Sequence, residues 1–194
     1  MQEAVPEGVG AMAAILGLDD EKVIEVCKNA EQGDVVSAVN FNSPGQVVIA
    51  GNTVAVERAV DMAKEAGAKR ALILPVSVPS HCSLMSPAAE QLEKRLADVN
   101  ISKPSVPVYN NVDVQPESEP DAIRDALKRQ LFSPVRWVDT INTFVQQNVQ
   151  NIVECGPGKV LVGLNKRINK QMNALSTLDG ESLKKAIESV QTGG

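Results

Sequence analysis

Asn40-Phe41-Asn42-Ser43-Pro44-Gly45-Gln46-Val47-Val48-Ile49-Ala50-Gly51 decides the fold of this 194-residue chain. Its Asn-Ser-Pro-Gly centre has the composition of a tight turn, so Val35 to Phe41 and Gln46 to Ala50 are expected as two strands joined there. Before it, Ala11 to Leu18 is an apolar run that fits a buried strand. Asp19, Asp20 and Glu21 then supply cap and acidic first-turn residues for a helix carrying Val23, Ile24, Cys27 and Ala30 at helical spacing, with Gly33 past its end. After it, Asn52 or Thr53 can cap a second helix bearing Val56, Val60 and Ala63, with Gly67 beyond, and Lys69 to Val76 is a fourth strand. The order β-α-β-β-α-β is the split βαβ, or ferredoxin-like, pattern.

Beyond Pro79 the pattern changes. Helices are expected over Leu84 to Val99, Asp121 to Leu131 and Val138 to Asn148, with a strand over Val106 to Val114 and a Pro-bracketed loop at 115–120. Asn151 to Cys155 reads as a strand ending in Gly156-Pro157-Gly158, followed by a helix with Val160, Leu161, Leu164 and Ile168 on its apolar side. Strands alternating with helices suggest a parallel sheet, yet too few strands belong here to cover one on both faces. Gln171 to Gly180 and the terminal Gly-Gly are expected to fray.

Hydrophobic residues make up 43% and charged residues 22%, enough for a buried core. Nineteen basic against twenty-four acidic residues give a formal charge of -5. With no basic stripe, nucleic acid and anionic membrane are poor partners. No apolar run reaches membrane-spanning length, and residues 1–7 lack the features of a signal peptide. The expectation is a soluble, cytoplasmic protein. Three scattered cysteines, Cys27, Cys82 and Cys155, and one histidine, His81, leave neither a disulfide framework nor a metal cluster. Cys27 and Cys155 lie on apolar faces and are expected in the core.

His81 follows a strand and precedes a helix, a setting that suits a general base. The alternative is a structural histidine bonded to a carbonyl. Its neighbours Ser80 and Cys82 point to opposite sides of an extended segment, so neither is a convincing nucleophile. No serine lies in a G-x-S-x-G elbow. Gly156-Pro157-Gly158-Lys159 misses the phosphate-loop spacing and reads as a tight turn. Lys69-Arg70 is either a solvated pair or a docking point for a phosphate or an acidic partner.

Four segments together resemble one family: Gln2 to Gly8, Asn40 to Gly51, Pro75 to Cys82 (Pro-Val-Ser-Val-Pro-Ser-His-Cys) and Glu154 to Leu161 (Glu-Cys-Gly-Pro-Gly-Lys-Val-Leu). In order and over nearly the whole chain, they look like malonyl-CoA:acyl carrier protein transacylases of fatty-acid synthesis. The resemblance implies a ferredoxin-like small domain at 8–77 inserted in an α/β-hydrolase-like large domain, of which 78–194 is the C-terminal part and 1–7 the end of a preceding helix. It implies ping-pong acyl transfer through an acyl-serine, from malonyl-CoA to the phosphopantetheine thiol of acyl carrier protein, with no further cofactor and a monomeric enzyme.

By the same resemblance, His81 is the catalytic base and Gln130 offers the backbone carbonyl that orients it. Ser80 lies where acyl selectivity is set, Asn42 and Gln46 near the substrate cleft, and Lys69 and Arg70 near coenzyme or carrier. The family's oxyanion segment, serine elbow and malonyl-binding arginine have no counterpart among these residues, so the 194 residues alone are expected to be inactive. A non-catalytic module that binds the carrier protein is the alternative.

Overall fold

The computed structural model describes residues 3–192, which form two compact units, 3–137 and 138–192. The first unit is built on a four-stranded antiparallel sheet. Its strands are β1 (Gly10–Leu16), β2 (Val36–Ser43), β3 (Gln46–Asn52) and β4 (Arg70–Ile73), in the order β2-β3-β1-β4. Helices α1 (Asp20–Ala30) and α2 (Thr53–Glu65) cover one face. The turn at 43–46 has proline at its second position and Gly45 at φ +70 at its third, the residue pattern of a type II turn.

Alternation along the strands explains the core. Ala11, Ala13, Ile15, Val47 and Ile49 point toward α1 and α2 and join Val23, Cys27, Val56 and Ala59 in the largest buried cluster. Met12, Val48 and Ala50 point the other way, where they meet Val39 and Cys82. Arg58 of α2 donates to the carbonyls of Ala30 and Glu31 and to the Asp34 carboxylate, so α2 satisfies carbonyls left open at the end of α1. Asn52 occupies the cap position of α2, but its Oδ1 accepts from the Val35 N–H instead of a helix amide. Thr53 likewise spends its hydroxyl on the Gly8 carbonyl.

Past β4 come a single 3-10 turn (Ser83–Met85), α3 (Ser86–Ala97) and α4 (Pro120–Gln130). The strand expected over 106–114 is absent. A lone bridge joins Tyr109 to Pro116, and Val106 and Val108 are exposed. Pro104 and Pro107 remove ladder donors, and the Asn110 side chain closes a turn by bonding the Asp113 N–H and the Gln115 carbonyl. Glu3 and Ala4 lie in a turn, and Met1 and Gln2 fall outside the described residues.

In the second unit, after α5 (Trp137–Gln146), β5 (Asn151–Glu154) and β6 (Asn173–Ser176) pair in parallel, with α6 (Val160–Ile168) as the crossover and α7 (Gly180–Thr192) following. The fraying expected over Gln171 to Gly180 is thus overturned. Parallel pairing with β5 occupies its backbone groups, and Ala174 is buried. Asp179 then caps α7, accepting the Ser182 N–H at 2.8 Å while its own N–H donates to the Ser182 hydroxyl at 2.9 Å. Gly193 and Gly194 lie outside the described residues. Among the described residues no helix is long and apolar enough to cross a membrane.

Candidate active site

His81 is held by the end of α4. Its backbone N–H donates to the Leu131 carbonyl at 3.0 Å, and its Nδ1 lies 2.8 Å from the Gln130 carbonyl oxygen. A carbonyl only accepts, so Nδ1 carries the proton and Nε2 presents a lone pair. The ring is half-buried. Its backbone has φ +68, a left-handed conformation that costs a non-glycine residue about 1 kcal/mol or more and is offset by these two bonds.

The loop that carries His81 is seated on the sheet. Pro79 is fully buried against Gly10 of β1, where a Cβ would overlap the proline ring. Cys82 lies on the sheet face away from α1 and α2, its thiol donating to the Pro79 carbonyl at 3.2 Å. Burial pushes the Cys82 thiol above its ordinary range, which disfavours the thiolate a nucleophile needs. Ser80 is half-buried and gives its N–H to the Val78 carbonyl.

The remaining candidates gather elsewhere. Gln46 and Arg70 both stand opposite Leu16 in the sheet register, so all three share one face at the far end of β1 from Gly10. Asn42 is half-buried beside the same turn, and Lys69, exposed, lays its side chain over Gly17. The first unit therefore joins His81 to Gln130, and sets Gln46 and Arg70 on either side of Leu16, in two separate groupings. Met12 and Leu16 are four residues apart along β1, about 13 Å.

Two further expectations meet the structure. Cys155 is exposed, not core, because it follows the last residue of β5 at the start of a turn. Cys27 is buried, and desolvation pushes its thiol up to about 12. Labelling with a thiol-specific aromatic disulfide should accordingly modify one cysteine of the native protein, Cys155, within minutes. Cys27 and Cys82 should react only on unfolding, and three fast cysteines in folded protein would contradict this burial. At Gly156-Pro157-Gly158 the Glu154 carboxylate accepts the Val162 N–H at 2.9 Å, placing the chain's own anion at the N-terminus of α6. That is the position a phosphate would need. Among the described residues no group of three metal-binding side chains occurs.

Residues 1–184 match the acyl transferase domain family. A malonyl CoA-acyl carrier protein transacylase of Haemophilus influenzae is 62% identical over 179 residues, which are 92% of this chain and 57% of that protein. Among solved structures, a malonyl-transacylase in complex with its type II PKS acyl-carrier protein superposes with a TM-score of 0.95 at 55% identity, covering 97% of this chain and 61% of the other. An acyl carrier protein S-malonyltransferase from Vibrio cholerae gives 0.93 at 58% identity, over 95% and 60%. The chain spans about three fifths of the length of the relatives it matches. The matches extend over nearly the whole of this α/β chain, which belongs to the acyl transferase domain family.

Proposed function

We propose that this chain carries the base half of a malonyl-CoA:acyl carrier protein transacylase of fatty-acid synthesis. The observation that carries the reading is the 2.8 Å contact between His81 Nδ1 and the Gln130 carbonyl, which leaves Nε2 free to take a proton. On this reading the serine nucleophile, the oxyanion donors and the malonyl-binding arginine belong to the two fifths of the relatives' length that these residues do not span. His81 Nε2 removes the serine proton as its oxygen adds to the thioester carbonyl of malonyl-CoA. The same proton passes to the departing coenzyme A thiolate. In the second half, Nε2 takes the proton of the phosphopantetheine thiol, whose sulfur displaces the serine from the acyl-enzyme and forms malonyl-carrier protein, and the same proton passes from Nε2 to the departing serine oxygen. A carbonyl in place of a triad carboxylate still fixes the tautomer.

Ser80 beside the base is assigned to acyl selectivity, and Asn42 and Gln46 to the substrate cleft. Residues 8–77 are read as the ferredoxin-like subdomain and 78–194 as part of an α/β-hydrolase-like domain, in a monomeric cytoplasmic enzyme using no cofactor beyond its two substrates. Nucleic acid and membrane have no part in it. Transfer of radiolabelled malonyl to holo carrier protein, by a chain that also supplies the serine, tests the activity. Transfer that survives unchanged in His81→Ala would remove the reading.

Lys69 and Arg70 favour a second reading, a module that binds carrier protein without chemistry, because both are exposed at one end of the sheet. Their joint replacement by alanine should weaken carrier binding about tenfold at low salt and little at high salt. An unchanged affinity at low salt would show that carrier docks elsewhere.

A further inference from the structure

The carbonyls of Gln130 and Leu131 aim at His81 only if the end of α4 is fixed, and a second loop fixes it. Arg129 donates through both terminal nitrogens to the Asp113 carboxylate, at 2.8 and 2.7 Å. Asp113 is itself set by the turn at 110–115, its N–H donating to the Asn110 side chain at 2.8 Å. The same turn accepts from the far side of the segment, with the Arg136 N–H on the Asn111 carbonyl at 3.3 Å and its guanidinium on the Val112 carbonyl at 3.4 Å. Between these two fastenings, Val135 pairs with Val39 and Phe41 of β2. A parallel two-bond fork fixes direction as well as distance, which a single ammonium contact does not.

We propose that Asp113 and Arg129 are positioning residues for His81: their forked ion pair locks the C-terminus of α4 so that the Gln130 carbonyl holds the imidazole with its proton on Nδ1. The inference rests on His81 being the base, but its test does not depend on activity. The Arg129 hydrogen bonds hold the Asp113 carboxyl below the usual carboxylate range, so the pair stays charged at neutral pH. Arg129 also contacts Asp125 at 2.5 Å, but that carboxylate lies one turn back on α4 itself and cannot tie the helix to anything. Asp113 is the partner that reaches across to another segment.

His81 is the only histidine in the sequence, so its ring nitrogens give unambiguous signals in long-range proton–nitrogen NMR spectra of the labelled 194-residue chain. In mildly alkaline buffer the native chain should show the single Nδ1–H tautomer. Asp113→Ala should show mixed or Nε2–H tautomer, with exchange of the His81 amide roughly tenfold faster. Asp125→Ala should match the native spectrum. Should Asp113→Ala lose its dispersed amide spectrum, Arg129→Lys, which keeps the charge and loses the fork, decides by the same criteria. A native tautomer and native amide exchange in the folded variant would overturn the proposal. So would equal disturbance by Asp125→Ala, because loss of any Arg129 partner would then suffice. Full transfer activity in His81→Ala would instead remove the catalytic reading and leave the tautomer result standing.

Discussion

His81→Ala, placed in a full-length transacylase that supplies the serine, is expected to lower kcat for malonyl transfer by about three to four orders of magnitude. KM for malonyl-CoA should change by no more than a few-fold, since the imidazole takes its proton only as the reaction proceeds. The size of the effect follows from the site's economy. In the proposed mechanism one ring serves both half-reactions, so its loss weakens each of them. Gln130→Ala makes the contrast. It removes a side chain whose bond to the Ser133 carbonyl is long, 3.4 Å, and it leaves in place the backbone carbonyl that holds Nδ1. Its activity should stay within about tenfold of the native enzyme. Steady-state rates of the two variants check both statements, and comparable losses would mean that the glutamine side chain, not its carbonyl, acts on the ring.

Gly51→Ala is expected to destabilise the first unit by about 3–5 kcal/mol, combining overpacking with lost hydrogen bonds. A Cβ at this position would lie 2.6 Å from Val36 Cα and closer still to the Val35 carbonyl oxygen. Those are backbone atoms of the neighbouring strand and cannot rotate aside. Relief requires β2 and β3 to part where the Asn52 N–H donates to the Val35 carbonyl at 2.7 Å and Asn52 Oδ1 accepts the Val35 N–H at 2.8 Å. A domain with 5–15 kcal/mol of total stability loses much of it. The control is Gly163→Ala in α6, where a Cβ meets nothing within 4 Å. Alanine there should raise stability by up to about 1 kcal/mol. Urea unfolding of both variants measures the difference, and a loss under about 1 kcal/mol for Gly51→Ala would show that the strands separate without strain.

The first four strands were legible because their signals are local. Pro44-Gly45 can hardly be anything but a turn between Phe41 and Val47, and the run Val47 to Gly51 beyond it is buried at every position, as in a strand covered on both faces. Valines at 106, 108, 112 and 114 imitate the same signal, but Pro104 and Pro107 interrupt the donors and Asn110 turns the chain. The tail is illegible in the sequence for the opposite reason. Asn173–Ser176 has little apolar character, and what makes it a strand is β5 waiting beside it. Asp179-Gly180-Glu181-Ser182 did carry a local cap signal that marks the start of α7.

The candidate site divides in the same way. His81 stands out by residue type and by its place between strand and helix. Its contact with Gln130 spans 49 positions, and no local pattern foretells which carbonyl will meet a ring so far along the chain. Resemblance to a family supplied Gln130 before the geometry did. Nothing in the sequence pointed to Pro79 packing on Gly10, or to the fork from Arg129 to Asp113, because both are tertiary contacts.

The most direct test joins this chain to the two fifths of the Haemophilus influenzae relative that it does not match and follows intact-protein mass after mixing with malonyl-CoA, with and without His81→Ala. One malonyl group is expected on the native fusion, on a peptide outside the 194 residues and released when holo carrier protein is added. The His81→Ala fusion should acquire it at least a thousandfold more slowly. Equal rates in the two fusions, or a malonyl group attached to a residue of this chain, would contradict the proposed mechanism.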